Sequence, residues 1–197
     1  MKKILIFEFS LIFILGILTS LSLPPLNFFL INFFTLSFFL AFLLKKLRQQ
    51  KKIKHFFYYG WFFGFGYFLS NLYWITISLT FDKNFTFLIP LVLILIPSFL
   101  ALFYSLVSVL FCFFNPKNIV SAFFTFSFLF GITEFLRGII LTGFPWNLFV
   151  YSMSNNLNFI SIISIIGTYS LNLIIIGVLG ILLLFMWFGT DHQATKN

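Results

Sequence analysis

Apolar stretches of about twenty residues follow one another along this chain, each near the length that crosses a bilayer as a helix. Six can be drawn, at about 4–22, 26–44, 56–80, 86–114, 119–141 and 157–188. Phe alone fills 35 of the 197 positions, and the chain is 61% hydrophobic and only 8% charged. A soluble domain of this size would have too little polar surface left to face water. A bilayer also forces each segment to satisfy its own backbone hydrogen bonds, which helices do. The pattern predicts an all-α, polytopic transmembrane bundle of about six helices over residues 1–190, followed by a polar cytoplasmic tail at 191–197.

The punctuation between segments orders them. Pro24-Pro25 is a tight turn with no room for a domain, and Asp82-Lys83-Asn84 and Asn115-Pro116-Lys117-Asn118 mark later turns. The fourth segment holds Pro90 and Pro97, which predicts a tilt, a kink or a late start. The net charge is +8, yet six of the twelve Lys and Arg fall between residues 45 and 54. A nucleic-acid domain would spread its cations over a soluble face. Here the cluster reads as a cytoplasmic loop that also attracts anionic headgroups, and no nucleic-acid partner is expected. With Lys2 and Lys3 inside, ten basic residues collect on that side and two, Lys83 and Arg137, on the other. Both termini are therefore expected in the cytoplasm, with residues 142–156 outside. The N-terminal Met-Lys-Lys and the apolar run after it lack a small-x-small cleavage site and carry Glu8, so an uncleaved first helix is expected. Glu8 itself is expected to snorkel or to pair with a Lys.

One polar interruption stands out: Glu134-Phe135-Leu136-Arg137-Gly138, followed by Thr142-Gly143-Phe144-Pro145-Trp146-Asn147. Glu and Arg each cost roughly 2.5–3.5 kcal/mol to place at the centre of a membrane helix, so they need partners or a wet surface. Three residues apart, they share one face of a helix and can pair with each other. The alternative is that Arg137 meets a phospholipid phosphate, which a guanidinium binds bidentately. Pro145 removes a donor and Trp146 favours the lipid–water interface, so the helix is expected to end in a shaped aromatic turn. Gly60 and Gly64 form a small-xxx-small face for close helix approach, and Tyr67, Tyr73 and Trp74 lead toward the outer surface as interfacial anchors. Asn71, Asn147 and Asn172 would be buried only with hydrogen bonds.

No catalytic residue is identified. Cys112, the sole thiol, sits in Leu110-Phe111-Cys112-Phe113-Phe114, with no neighbour to stabilise a thiolate. His55 and His192 lie in polar stretches without a nucleophile motif, and their scatter gives no metal spacing. No metal or cofactor is expected.

The interruption also carries a family resemblance. Glu134 to Gly138 and Leu141 to Trp146 resemble the N-terminal, membrane-embedded half of bacterial apolipoprotein N-acyltransferase. Ser22-Leu23-Pro24-Pro25, Gly60 to Gly66, Leu72-Tyr73-Trp74 and Ile166 to Asn172 extend the likeness in the same order and at similar spacings. The resemblance implies a multi-pass protein of the bacterial inner membrane. It also implies the transfer of an acyl chain from phospholipid, through an enzyme thioester, to the amino group of a diacylglyceryl-cysteine that begins a lipoprotein. Phospholipid and the diacylglyceryl lipoprotein are the partners it implies. The region of Tyr73 and Trp74 borders the family's lipid-entry cleft, which makes these two, with Glu134, Arg137, Phe144, Pro145, Trp146 and Asn147, the lipid- and substrate-access candidates.

Members of the family follow this region with a carbon–nitrogen-hydrolase domain holding a Glu, Lys and Cys set. The chain stops before such a domain, so it is expected to be truncated, split or a fragment, inactive by itself. A separately encoded hydrolase-like domain is one implied partner. Whether this chain is itself an enzyme stays open, as do a non-enzymatic membrane subunit and a carrier for a hydrophobic ligand.

Overall fold

In the computed structural model, residues 2–140 and 143–178 are described. Among them every regular element is helical. Five long helices, α1 (Lys2–Ser20), α2 (Ile31–Arg48), α3 (Ile53–Leu72), α4 (Ile89–Phe114) and α5 (Ile119–Ile139), make the bundle. Short pieces follow: α6 (Leu157–Ile160), α7 (Ile163–Ile166) and α8 (Thr168–Val178). By length and composition, the helical stretches Lys83–Phe114 and Ile119–Ile139 suffice to cross a membrane.

The turns behave as their residues dictate. Asn115 takes a left-handed conformation that ends α4, and Asn118 accepts from Ser121 N at 2.7 Å to start α5. Three expected boundaries differ. The second segment becomes helix only at Ile31. The third is α-helical only to Leu72 and continues as 3-10 turns over Tyr73–Thr80. The fourth shows the late start that its prolines predict, with a 3-10 turn over Lys83–Leu88 and Pro90 in the first turn of α4, where a missing N–H costs nothing. The sixth is interrupted, because Gly167 at φ +83° breaks the helix between α7 and α8. The basic stretch is partly helix: Lys45, Lys46 and Arg48 form the last turn of α2, where cations suit the negative end of the helix dipole. Residues 179–188 of the sixth segment and the tail at 191–197 lie outside the described residues.

At the centre, α3 lies parallel to α1 and antiparallel to α4. Phe9 stacks on Phe62 at 5.0 Å and Phe13 on Phe65 at 5.9 Å, so α1 and α3 rise together. On the other side Gly60 and Gly64 face Tyr104, Ser105 and Ala101 so closely that an added Cβ would meet α4 backbone. The expected small-residue face is thus a contact between α3 and α4. Around it the core is aromatic: Phe39 stacks on Phe63 at 4.2 Å, and Tyr104 meets Phe130 at 5.0 Å. Outward faces carry Phe124, Phe128, Leu91 and Ile94, all exposed, as a lipid-facing surface would.

At the end of the bundle formed by the α2–α3 turn, Glu8 accepts from Lys46 Nζ at 2.7 Å and from the Tyr59 hydroxyl at 2.6 Å. The buried acid of α1 therefore ties α2 and α3 to it. Gly60→Val should overpack the α3–α4 contact and destabilise the bundle by about 1–3 kcal/mol. Gly177→Ala, whose Cβ would have, among the described residues, only Ser127 Oγ within 4.0 Å, should be neutral. Thermal melts in detergent followed by circular dichroism read both; equal melting of the two variants would contradict the packing.

Candidate functional site

At the opposite end of the bundle, α5 delivers Glu134 and Arg137 one turn before it stops. Both are about 1% exposed. The guanidinium Nη2 donates to Glu134 Oε2, and Nη1 donates to the carbonyls of Phe144 at 2.7 Å and Trp146 at 2.8 Å. The Phe68 ring of α3 lies under the guanidinium, 5.2 Å from centroid to Cζ. Arg137 is thus occupied within the protein by an acid, two backbone acceptors and an aromatic face.

Those bonds shape the loop. Phe144 N returns a hydrogen bond to the Arg137 carbonyl at 2.9 Å, and Gly143 N bonds the Ile140 carbonyl at 3.0 Å. Gly143 has φ +76°, in the left-handed region where a side chain is strained. Asn147 at φ +61° makes the second reversal, and its carbonyl accepts from the Tyr67 hydroxyl at 2.7 Å. The chain then folds back inward. Phe149 stacks on Tyr67 at 5.5 Å, and Asn172 Oδ1 of α8 accepts from Val150 N at 3.0 Å.

Of the eight candidates, Glu134, Arg137, Phe144 and Trp146 meet through these contacts. Trp146 then stacks on Trp74 at 5.1 Å, with Phe144 tilted against it at 5.5 Å. Tyr73, Trp74 and Asn147 line one cavity of about 630 Å³ together with Pro24, Pro25 and Tyr151. Pro145 is exposed at the tip. A second cavity of about 380 Å³ lies between α4 and α5, where Leu95, Phe99 and Phe103 face Arg137, Gly143 and Phe144. Its walls are apolar apart from the guanidinium. Burial pushes the Tyr151 phenol above its ordinary value, so it stays neutral in the wall of the larger cavity.

Sequence reasoning missed three contributors. Tyr67, expected as an interfacial anchor, is fully buried and holds the loop. Phe68 and the Pro24-Pro25 turn could not be placed beside the site from spacing alone. Cys112 lies in α4 among aromatic side chains, far along the helix from this end. Among the described residues no group of His, Cys, Asp or Glu is arranged to hold a metal ion.

A helical bundle with two apolar helices of membrane length, capped by a clamped aromatic loop over two largely apolar cavities, is the architecture of a polytopic membrane domain. The chain belongs to the family of the apolipoprotein N-acyltransferase N-terminal domain, whose model matches residues 15–189. It is similar to the apolipoprotein N-acyltransferase of Rickettsia typhi, 37% identical over 165 residues, covering 83% of this chain and 32% of that protein. The Brucella melitensis protein of the same name is 32% identical over 152 residues, covering 71% and 27%. The one from Rhodopseudomonas palustris is 36% identical over 124 residues, covering 60% and 22%. The chain spans about a third or less of the length of these relatives.

If Arg137 is the clamp, Arg137→Gln leaves Glu134 buried without a partner and should cost about 3–5 kcal/mol. Glu134→Gln combined with Arg137→Gln should recover part of that loss. Chemical unfolding of the reconstituted protein measures both. Additive losses in the double variant would show that the two side chains act independently.

Proposed function

We propose that this chain is the membrane region of an apolipoprotein N-acyltransferase of the bacterial inner membrane. It offers the lipid-access surface over which an acyl chain passes from phospholipid to the diacylglyceryl-cysteine of a lipoprotein. The observation that carries this reading is the Arg137 clamp, which fixes the Phe144–Asn147 loop between an apolar cavity at α4–α5 and the larger cavity at Tyr73 and Trp74. Apolar walls suit acyl chains, and the Trp146 indole and Asn147 amide supply polar edges at the mouth. Both termini lie in the cytoplasm in this reading, and the loop faces outward, toward a hydrolase-like catalytic domain that supplies the thiol.

The acyl-transfer chemistry itself is assigned outside residues 1–197. A thioester route needs an activated thiol, and the one cysteine, Cys112, has only apolar and aromatic residues beside it in α4. Arg137 and Glu134 position backbone rather than react.

Expressed by itself in cells depleted of their own apolipoprotein N-acyltransferase, the chain should not restore triacylated lipoprotein. Joined to a hydrolase-like domain of a relative it should, with Trp146→Ala lowering transfer per folded molecule. Mass spectrometry of lipoprotein N-termini, alongside protein level, checks this. N-acylation by the chain alone that is lost in Cys112→Ser would overturn the assignment. Reporter fusions after Lys54 and Lys117 should report cytoplasm and those after Lys83 and Asn155 the outside; a cytoplasmic signal at Asn155 would reverse the orientation.

A further inference from the structure

The end of the bundle opposite the clamped loop joins two features that the acyl-transfer reading does not use. The first is the cationic turn between α2 and α3. Lys52 and Lys54 are exposed there, with Lys51 and His55 half-buried beside them. Among the described residues the only carboxylate at this end is Glu8, and Lys46 and Tyr59 already bond it. The second feature begins one helical turn further on. Phe57, Tyr58, Trp61 and Phe62 of α3, with Phe9 of α1, line a cavity of about 370 Å³. Tyr58 is 47% exposed and Phe57 38%, so the cavity opens to the surroundings of the protein.

The two features share a face. Lys54, Tyr58 and Trp61 follow at steps of four and three residues, which aligns them along one side of α3. The walls are held in place: Phe62 stacks on Phe9 at 5.0 Å, Trp61 on Phe65 at 4.9 Å, and the indole N–H donates to the Ser98 carbonyl at 3.2 Å.

We propose that this end of the bundle binds an anionic phospholipid, its phosphate against Lys52 and Lys54 and one acyl chain along the aromatic groove of α1 and α3. A basic turn alone would follow from membrane orientation, and an apolar groove alone accepts any lipid tail. Their adjacency within one helical turn selects a molecule with a negative head and a long apolar chain. An acidic protein surface would satisfy the lysines and leave the groove unfilled. The site is also separate from the clamped loop. Lys54 and Tyr67 are thirteen residues apart on one helix, about 20 Å at 1.5 Å per residue. The lipid held here is therefore a bound companion of the fold and not the acyl donor.

The test uses the full chain in nanodiscs and reads tryptophan fluorescence. Trp61→Phe identifies the share of the signal that Trp61 contributes among the four tryptophans. Brominated phosphatidylglycerol should quench that share several-fold more effectively than brominated phosphatidylcholine. The preference should disappear in Lys52→Gln/Lys54→Gln, with helical circular dichroism unchanged, and should survive inorganic phosphate added at constant ionic strength. If the double variant does not fold, raising the salt on the unmodified chain makes the same measurement, and the preference should fall. Equal quenching by the two lipids would overturn the proposal. So would a preference indifferent to both the lysines and salt, release by inorganic phosphate alone, or an acidic polypeptide that binds this end without any lipid preference.

Discussion

Arg137 has five N–H donors, and burial away from water makes pairing them within the protein worth several hydrogen bonds, although Nε itself has no partner among the described residues. One nitrogen serves Glu134, and another serves two carbonyls of the loop that follows its own helix. The ion pair and the loop are therefore one arrangement. Glu134 holds the guanidinium at the end of α5, and the guanidinium in turn gathers the Phe144 and Trp146 carbonyls that no helix would satisfy. Tyr67 does the same for Asn147 from α3, and Asn172 accepts from the Val150 N–H from α8. Helices α3, α5 and α8 meet through the polar groups of a single connection. The aromatic surface of Trp74 and Trp146 is a consequence of that meeting.

The rest of the bundle permits it by being stiff. Lipid tails give helices no hydrophobic reason to associate with each other, so close packing must do the work. Gly60 and Gly64 bring α4 against α3, and the stacked Phe39, Phe63, Tyr67 and Tyr104 rings fill the space between the helices. At the other end the bond of Glu8 to Lys46 and Tyr59 ties α1 to two neighbours. Each end is thus closed by one buried acid and its cation, with aromatic packing between them.

Much of this was legible in the residues. Apolar length announced helices, and the i, i+3 spacing of Glu134 and Arg137 announced their pairing. Asn115 and Asn118 marked a turn that their side chains and backbone do form. The sequence could not show that Arg137 turns to backbone carbonyls as well as to Glu134, since that choice depends on where the loop returns. Nor could it show Tyr67 inside: a tyrosine near a helix end suits an interface, and only the arrival of Asn147 and Phe149 buries it. The Lys46 partner of Glu8 was one of several equivalent lysines by spacing. The break at Gly167 was hidden because the isoleucine-rich stretch before it and the apolar residues from Leu173 on read as one segment.

The central claim is that the Arg137 clamp holds the outer aromatic loop in place. The stacked Trp74 and Trp146 indoles, 5.1 Å apart, should give an exciton couplet in circular dichroism that Trp146→Phe abolishes. In Arg137→Lys the charge remains, but the planar fork that reaches one acid and two carbonyls is gone. The account predicts loss of the couplet in that variant with the helical signal intact. A couplet of full strength in Arg137→Lys would contradict it, showing that the loop keeps its shape without the guanidinium.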